Sequence, residues 1–400
     1  MKFSCNTSDL LQALHLVSRA IGSQQALPIL GNVLMEAEGR RCTVSATDLE
    51  LSIITHFDAS IENEGSITVP AKAILNFAQY NQDAEVLLET VEGTQMRCTS
   101  KHAKTMIAGE ASSEYPTIAP VDRQTSFALE AGPFLQALHL VTFASAKTTL
   151  RPVLSGVYFQ REKDKLTLVA TDSYRLSEYV TETKGEGGGE DVTCIIPSKI
   201  LDELRSVLSG ILKRPDEKSG DKEQEEGGKA SSAKATEARH KPLEVMVHLS
   251  KQQIEMQIGS VRLLSRLIDG RFPDYRQILP KDNKSTAHFS VVELTTAVKR
   301  MHYFAKEMNN NLTFRVEKEQ TRLSTPQTQA GRDEATLTAD LAGEENKIAL
   351  SSSYLLDFLS HINADNVVMK VTDSLHPAVF TLPENPKFLH LIMPLRMQES

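Results

Sequence analysis

The stretch LQALHLV at residues 11–17 occurs again, letter for letter, at residues 135–141. The same spacing of 124 residues carries the tripeptide ATD from 46–48 onto 170–172. Unrelated matches do not stay in one register over such a length, so the chain contains an internal repeat. Internal repetition decides the architecture before any local motif does.

Two proline-rich segments, at 114–120 and 271–280, close the first two copies of the repeat. Proline removes a backbone donor and disfavours helix at the residue before it, as expected of connections between domains. The rest of the chain is close to one further unit in length, and residues 350–359 fall where the other copies have their second helix. We therefore predict three tandem similar domains, at residues 1–121, 122–281 and 282–400.

Each unit mixes a helical period with an alternating one. Leu10, Leu14, Val17 and Ile21 are spaced as on one face of a helix, and they follow the capping-type run Asn6-Thr7-Ser8. Short alternating runs predict half-buried antiparallel strands at residues 43–46, 86–88, 166–169 and 254–258. This pattern predicts an α+β protein with antiparallel sheets. It does not fit a doubly wound parallel sheet, whose strands are long apolar runs.

The composition excludes several classes of protein. The 400 residues include 44 basic and 52 acidic ones, so the net charge of −8 argues against binding of nucleic acid through bulk positive charge. A local basic lining remains open. The four cysteines are scattered as structural thiols would be. No run reaches the roughly 18 apolar residues of a membrane span, and the N-terminus lacks a signal core, so we expect a cytoplasmic protein.

Residues 213–241 differ from the rest of the chain. They hold eight basic and seven acidic residues, with much of the remainder glycine, serine and alanine. Such a composition predicts a solvated, disordered loop inserted into the second repeat. A regulatory contact is the alternative.

The motifs of nucleotide, metal and hydrolase sites are absent from the sequence. The glycine-rich run 184–190 predicts a flexible turn, and we expect neither a metal nor a cofactor. The repeated Asp48 and Asp172 are the most enzyme-like feature, because paired carboxylates could serve a hydrolase. An aspartate after a strand also caps a turn, and recurrence in two repeats favours that structural role. A repeat scaffold that never meets DNA is a further alternative.

Three motifs point to a known family: DSYRL at 172–176, DGRFPDY at 269–275 and HLIMPLRM at 390–397. With the repeat, they resemble the bacterial DNA polymerase III β subunit family, the sliding clamps, over nearly the whole chain except 213–241. The resemblance implies a non-enzymatic homodimeric ring with the DNA clamp fold. Two chains join head to tail around double-stranded DNA, with two inner helices and outer antiparallel sheets in each domain. Such a clamp confers processivity on the replicative polymerase as a subunit of its nucleotidyltransferase complex.

The resemblance also implies a pocket between repeats two and three. It would receive short linear peptides from the polymerase, the clamp loader ATPase and repair factors, with Arg175 and Arg396 holding a peptide carbonyl or carboxylate. The alternative for residues 391–393 is the final strand of the core. The matching positions are Leu154, Thr171, Ser173, Tyr174, Arg175, Leu176, Pro273, Ile278, Tyr354, Leu375, Pro377, Leu391, Ile392, Met393, Pro394, Leu395 and Arg396.

Two further sets of positions carry over from the family. The residues that would face DNA are Gln24, Lys72, Arg151, Lys199, Lys299 and Arg300. The alternative is that these cations lie on solvated helix faces, and Gln24 stands where relatives carry a basic residue. At the dimer interface, Ile107 of one chain would pack near Tyr303 and Phe304 of the next, with core packing as the alternative.

Overall fold

A computed structural model gives the fold. It describes residues 1–22, 27–91, 94–148, 150–184, 191–213 and 242–396. Apart from Lys184 and Lys213, the predicted glycine-rich turn at 184–190 and the charged segment at 213–241 lie outside these residues.

One order of elements occurs three times: a strand, a helix, a run of strands, a second helix and three strands. The first copy comprises β1 (Lys2–Asn6), α1 (Thr7–Val17), β2 (Asn32–Glu38), β3 (Arg41–Thr47), β4 (Leu51–Asp58), β5 (Ser60–Asn63), β6 (Gly65–Pro70), α2 (Ala71–Tyr80), β7 (Glu85–Val91), β8 (Gln95–Thr99) and β9 (Lys104–Ala108).

The second copy comprises β10 (Thr125–Glu130), α3 (Ala131–Val141), β11 (Gly156–Glu162), β12 (Lys165–Thr171), β13 (Arg175–Glu182), β14 (Val192–Pro197), α4 (Ser198–Leu212), β15 (Glu244–Leu249), β16 (Gln253–Ile258) and β17 (Val261–Arg266). The third comprises β18 (Ser285–Ser290), α5 (Val291–Ala305), β19 (Asn311–Val316), β20 (Gln320–Ser324), β21 (Glu334–Thr338), β22 (Asp340–Gly343), β23 (Asn346–Ser351), α6 (Ser352–His361), β24 (Asn366–Val371), β25 (Ala378–Leu382) and β26 (Asn385–Ile392). The predicted α+β class and threefold repeat are confirmed.

The helices form where the apolar spacing predicts them. In α1, Leu10, Leu14 and Val17 are buried, and the Asn6 side chain accepts a hydrogen bond of 2.9 Å from the backbone N–H of Ser8. The prediction for Ile21 is wrong in detail, because α1 ends at Val17 and a 3-10 turn separates it from Ile21.

The third copy had no sequence identity to support it, yet its second helix is confirmed. α6 begins at Ser352, and the Ser351 side chain caps it by accepting a hydrogen bond from the backbone N–H of Tyr354. The first two residues of the predicted segment 350–359 instead end β23.

The chain forms two compact units, and the described strand pairs in both are antiparallel. The first unit, residues 1–135 and 203–266, holds a five-stranded sheet in the order β5-β1-β7-β8-β9 and an eight-stranded sheet in the order β10-β15-β16-β17-β4-β3-β2-β6. In the eight-stranded sheet, β4 of repeat one pairs with β17 of repeat two, so that Ile53 lies opposite Leu263. The sheet therefore runs from one repeat into the next.

The second unit, residues 136–202 and 267 onwards, has the corresponding arrangement. Its nine-stranded sheet has the order β14-β11-β12-β13-β26-β25-β24-β18-β22, and its four-stranded sheet has the order β21-β20-β19-β23. Here β13 of repeat two pairs with β26 of repeat three, so that Leu176 lies opposite Leu391. No helix in the described part of the chain is long and apolar enough to cross a membrane.

The four cysteines are free thiols inside the fold. Burial raises the pKa of Cys5, Cys98 and Cys194 to about 12, and it raises the pKa of Cys42 as well. Since the thiolate is the reactive form, these side chains serve packing, as the sequence predicts.

A buried ion pair joins two strands of the first unit. The Glu255 carboxylate on β16 is 1% exposed and accepts two hydrogen bonds from the Arg262 guanidinium on β17, at 3.0 and 2.8 Å. Arg123 approaches the same carboxylate at 3.4 Å. Burial opposes ionisation of Glu255, but the hydrogen bonds and charges of these arginines keep its pKa below the usual value.

This ion pair gives a first prediction. Arg262→Gln should lower the free energy of unfolding of the first unit by about 2–4 kcal/mol at pH 7, because it strips a buried carboxylate of its main partner. Glu255→Gln should cost less, about 1 kcal/mol, because it leaves no buried charge.

Urea unfolding at several pH values measures both effects. The pKa of Glu255 is depressed in the fold, so its contribution to stability is present above the ordinary carboxyl value of 4.5 and is lost as the pH falls through the folded pKa. The Glu255→Gln protein should lack that part of the acid dependence. Equal losses for both variants at pH 7 would contradict this account.

Candidate functional site

The repeated tripeptide ATD forms the same turn in repeats one and two. In repeat one, the Asp48 carboxylate accepts hydrogen bonds from the backbone N–H groups of Glu50 (3.0 Å) and Leu51 (2.7 Å). The Thr47 hydroxyl accepts from the N–H of Leu49 at 3.0 Å and donates to the Leu51 carbonyl at 3.1 Å. Leu49 takes the left-handed conformation, with φ 77°.

In repeat two, the Asp172 carboxylate accepts from the N–H groups of Tyr174 (2.9 Å) and Arg175 (3.0 Å). The Thr171 hydroxyl donates to the Arg175 carbonyl at 2.6 Å, and Ser173 has φ 81°. Each aspartate therefore caps its own turn, as the structural interpretation predicts. Among the described residues, no three His, Cys, Asp or Glu side chains converge as metal ligands would.

The two turns differ in the residue that closes them, which is Leu51 in repeat one and Arg175 in repeat two. The Arg175 side chain is 6% exposed and donates to the Asp172 carboxylate at 3.1 Å, to the Phe143 carbonyl at 3.0 Å and to the Asp357 carboxylate. It also lies over the Tyr354 ring, 4.9 Å from its centroid. Asp357 and Tyr354 belong to α6, so Arg175 joins the turn of repeat two to a helix of repeat three.

The direct contact predicted between Arg175 and a peptide is therefore corrected. The guanidinium is occupied by partners within the chain, and Arg175 holds the wall of the site in place. By contrast, Arg396 is exposed just beyond the last strand.

Beside this turn, in the second unit, lies a cluster of buried apolar side chains flanked by exposed ones. We call this surface, where the peptide pocket is predicted, the apolar groove, and the buried cluster its floor. The predicted positions Leu154, Leu176 and Leu391 belong to it, and Met393 packs against it. The other buried members are Val169, Ile195, Phe272, Tyr275 and Val379. The predicted Thr171, Ile392 and Pro377 are buried as well.

The rim of the apolar groove is exposed. Tyr174 is 62% exposed, Ile278 is 42% exposed and Leu375 is 82% exposed. Ile278 adjoins Leu279, which packs on the floor, and Leu375 lies in the turn before β25, whose Val379 belongs to the floor. Large apolar side chains left in water beside an apolar floor are typical of surfaces that bind a partner.

The remaining predicted residues hold or flank this rim. The Tyr174 ring stacks on that of Tyr354 at 6.4 Å, and the Tyr174 carbonyl accepts a hydrogen bond of 2.8 Å from the Met393 N–H. Pro273 and Ser173 are exposed, whereas Pro394 and Leu395 are partly buried. Leu391 and Ile392 end the last core strand, as the alternative predicts, and Met393 follows that strand and packs against the floor.

The residues predicted to face DNA divide into groups. Lys72 on α2, Lys199 on α4 and Lys299 on α5 are exposed. Arg300 does not present a free charge, because its guanidinium is paired with the Asp333 carboxylate at 2.8 and 3.1 Å.

Arg151 is exposed as well, and its guanidinium donates to the Ser173 hydroxyl at 3.3 Å. It thus lies beside the rim of the apolar groove. Gln24 lies outside the described residues.

The predicted contact through Ile107 is wrong, because Ile107 is 5% exposed and faces the core of the first unit. The strand alternates, so its neighbour Met106 is the exposed apolar side chain, at 46%. Alternation along β9 could have shown this in the sequence. Tyr303 is 69% exposed, and its ring meets that of Phe304 edge-on at 5.3 Å.

Sequence reasoning missed two residues of the site. Asp357 and Phe143 bind Arg175 from positions 182 and 32 residues away in the chain. Asp357 belongs to α6, which the sequence predicts, but nothing in the sequence pairs it with Arg175.

The matched turns give a second prediction. Asp48→Ala removes two accepted backbone hydrogen bonds and should cost about 1 kcal/mol of unfolding free energy in the first unit. Asp172→Ala also removes a partner of the buried Arg175 and should cost about 2–4 kcal/mol in the second unit. Thermal and urea unfolding measure the two losses, and a smaller loss for Asp172→Ala would refute the role given to Arg175.

Comparison with known proteins finds one family in three successive parts of the chain. Profiles of the DNA polymerase III beta subunit match in order, the N-terminal domain at residues 1–119, the central domain at 128–213 and the C-terminal domain at 276–396. The beta sliding clamp of Synechocystis is 27% identical over 417 residues, covering 99% of this chain and 100% of that protein. That of Escherichia coli K12 is 25% identical over 398 residues, with the same coverage.

Solved structures agree. The sliding clamp of Bacillus subtilis superposes with a TM-score of 0.87 at 22% identity, covering 100% of both chains. A sliding clamp from Bartonella birtlesii, bound to griselimycin, has a TM-score of 0.86 at 27% identity and covers 99% of this chain and 100% of its own. The chain therefore belongs to the bacterial DNA polymerase III beta subunit family, the beta sliding clamps, which tether the replicative polymerase to DNA and have no catalytic activity of their own.

Proposed function

We propose that two copies of this chain join head to tail into a ring that encloses duplex DNA. Each copy would contribute three domains, at residues 1–121, 122–281 and 282–400. The observation that carries the proposal is the sheet that continues from one repeat into the next, through β4 and β17 in one unit and through β13 and β26 in the other. Within one chain, strand pairing joins neighbouring repeats. The same kind of strand pairing between two chains would close the ring.

The strands available for that contact lie at sheet ends. β9 ends the five-stranded sheet, and β21 ends the four-stranded sheet. An edge strand carries unpaired backbone donors and acceptors that favour pairing with another strand. Pairing β9 of one chain with β21 of the next is a head-to-tail contact, and such a contact forms a ring when the rotation closes.

Apolar side chains near these edges support the contact. Met106 is exposed on β9, and Tyr303 and Phe304 end the helix α5. Burying them between two chains would add to the backbone pairing. Met106 takes the place of Ile107 in this assignment.

Enclosure also accounts for the net charge of −8. A ring that holds its template by topology needs only weak phosphate contacts, because tight ones would stop it from sliding. Lys72, Lys199 and Lys299 supply such contacts, and the acidic excess elsewhere disfavours other binding of DNA. Because a bacterial chromosome lies in the cytoplasm, we place the protein there.

The apolar groove serves as a docking site for short linear peptides of the replicative polymerase, the clamp loader and repair factors. An extended peptide would bury the exposed Tyr174, Ile278 and Leu375 against the floor. The flexible Met393 adapts to different side chains, and the exposed Arg396 can hold a peptide carboxylate. Since the sequence has no nucleotide-binding motif, a separate ATPase loads the ring.

A third prediction tests the docking site. Ile278→Ser combined with Leu375→Ser should weaken binding of a peptide carrying the clamp-binding segment of the cognate polymerase by roughly tenfold or more, since it deletes two apolar contacts at the groove. Fluorescence anisotropy with the labelled peptide measures the change. The control is Leu49→Ser, which alters the half-exposed leucine at the matching turn of repeat one and should leave binding unchanged.

Both variants should keep the melting temperature of the wild-type protein, because the replaced side chains lie in solvent. Unchanged peptide affinity in the Ile278/Leu375 double variant would remove the apolar groove from the proposal.

A fourth prediction concerns assembly. Native mass spectrometry at micromolar concentration should show two chains, and Tyr303→Arg should weaken the dimer by roughly a hundredfold by placing a charge in the contact. The groove double variant is the matched control, because it should dimerise normally while Tyr303→Arg should still bind the peptide. A wild-type monomer under these conditions would exclude the ring.

A further inference from the structure

The first helices of the three repeats bury and expose the same positions. Over eleven residues beginning at Thr7, Ala131 and Val291, the buried positions one, four, seven, eight and eleven coincide in α1, α3 and α5. Positions two, six and nine are exposed in all three helices. These positions follow the helical period, so they form one stripe that points away from the buried face.

Only one position of the stripe carries an ionisable side chain in every copy. Position nine is His15 in α1, His139 in α3 and Lys299 in α5. Positions two and six hold uncharged residues: Ser8, Gly132 and Val292, then Gln12, Gln136 and Thr296. The letter-for-letter repeat at 11–17 and 135–141 therefore places a histidine twice where the third copy has Lys299, which we propose contacts DNA.

The surroundings of the two histidines are mixed in charge. The elements next to His15 carry Asp9, Arg19, Lys72, Tyr80 and Glu203, with Lys2, Arg41, His56 and Asp58 on the strands beneath the buried face of α1. Arg19 and Glu203 pair with each other at 3.2 Å, which offsets their charges.

The elements next to His139 carry Glu130, Arg175, Glu178, Tyr179, Lys199, Asp202, Asp357 and His361. The His139 ring lies 5.1 Å from the ring of His361, whose Nδ1 is 3.6 Å from the Asp357 carboxylate. The Asp357 carboxylate is also paired with the Arg175 guanidinium.

We propose that His15 and His139 are proton-dependent phosphate contacts, so that the grip of the ring on DNA strengthens as the pH falls. The inference rests on the proposed enclosure of DNA by the helices. Histidine is the side chain whose charge ordinarily changes between pH 5 and 8. A nearby phosphate favours the charged imidazolium, so binding takes up protons and is tighter at low pH.

Two chains would carry four such histidines and two copies of Lys299. The ring then slides freely when the histidines are neutral and is slowed when they are charged. Lys299 occupies position nine of α5 and supplies a phosphate contact that does not change over this pH range.

The experiment measures diffusion of the full-length clamp, labelled at its N-terminus and loaded on a nicked circular plasmid by the cognate loader, at pH 6.0 and pH 8.0. Wild-type clamp should diffuse about threefold more slowly at pH 6.0, because added phosphate contacts raise friction along DNA. The double variant His15→Gln, His139→Gln should diffuse equally fast at both pH values.

Two further variants serve as controls. His288→Gln replaces an exposed histidine on β18 and should keep the full pH effect. Lys299→Gln should diffuse faster at both pH values while keeping the difference between them.

A wild-type clamp whose diffusion does not change with pH, or a double variant that keeps the threefold difference, would overturn the inference while leaving enclosure intact. A clamp that leaves the circle at both pH values would instead overturn the proposed function, and the inference with it.

Discussion

The antiparallel pairing of β13 with β26 is the contact on which the functional surface depends. It sets Leu176 of repeat two opposite Leu391 of repeat three, and Arg175 opposite Ile392. The two walls of the apolar groove, more than 200 residues apart in sequence, meet because their strands share backbone hydrogen bonds. Slipping either strand by one residue would turn its leucine, Leu176 or Leu391, away from the floor.

Comparison of the equivalent turns in repeats one and two shows why the apolar groove lies beside the turn of repeat two. The turns at Asp48 and Asp172 have the same hydrogen bonds, but the floor position held by Leu176 in repeat two is Ser52 in repeat one, where its hydroxyl donates to Thr47 at 2.8 Å. The Tyr115 hydroxyl fills the space there by accepting from the Thr47 N–H at 3.1 Å. Repeat one therefore keeps the scaffold of the turn with polar groups already paired, while repeat two offers apolar surface.

The sequence predicted the parts of the fold that depend on local pattern. The helices α1 and α3, the strands between them and a cap within residues 6–8 follow from spacing and propensity within a few residues. The resemblance to the family then supplied the groove. The contacts that the sequence did not predict join side chains far apart in the chain: Arg175 binds Asp357, and Arg300 binds Asp333. A charged residue in a motif does not reveal whether its charge is already neutralised within the fold. The position of Ile107 in the family assigns it to the interface, although the alternation along its strand predicts that it points inward.

A clamp that is held on DNA by enclosing it needs only weak contacts with the phosphates. Lys72, Lys199 and Lys299 are exposed on the helices of an acidic chain, and weak contacts from such side chains would suit a protein that must remain on DNA and still move. The most direct test loads the clamp on closed circular DNA, washes it at high salt and then cuts the circle once. Enclosure predicts that the clamp stays on the circle and leaves the linear product through its ends. Equal retention on circular and linear DNA, or loss from both at high salt, would show that the chain binds DNA by ordinary surface contact.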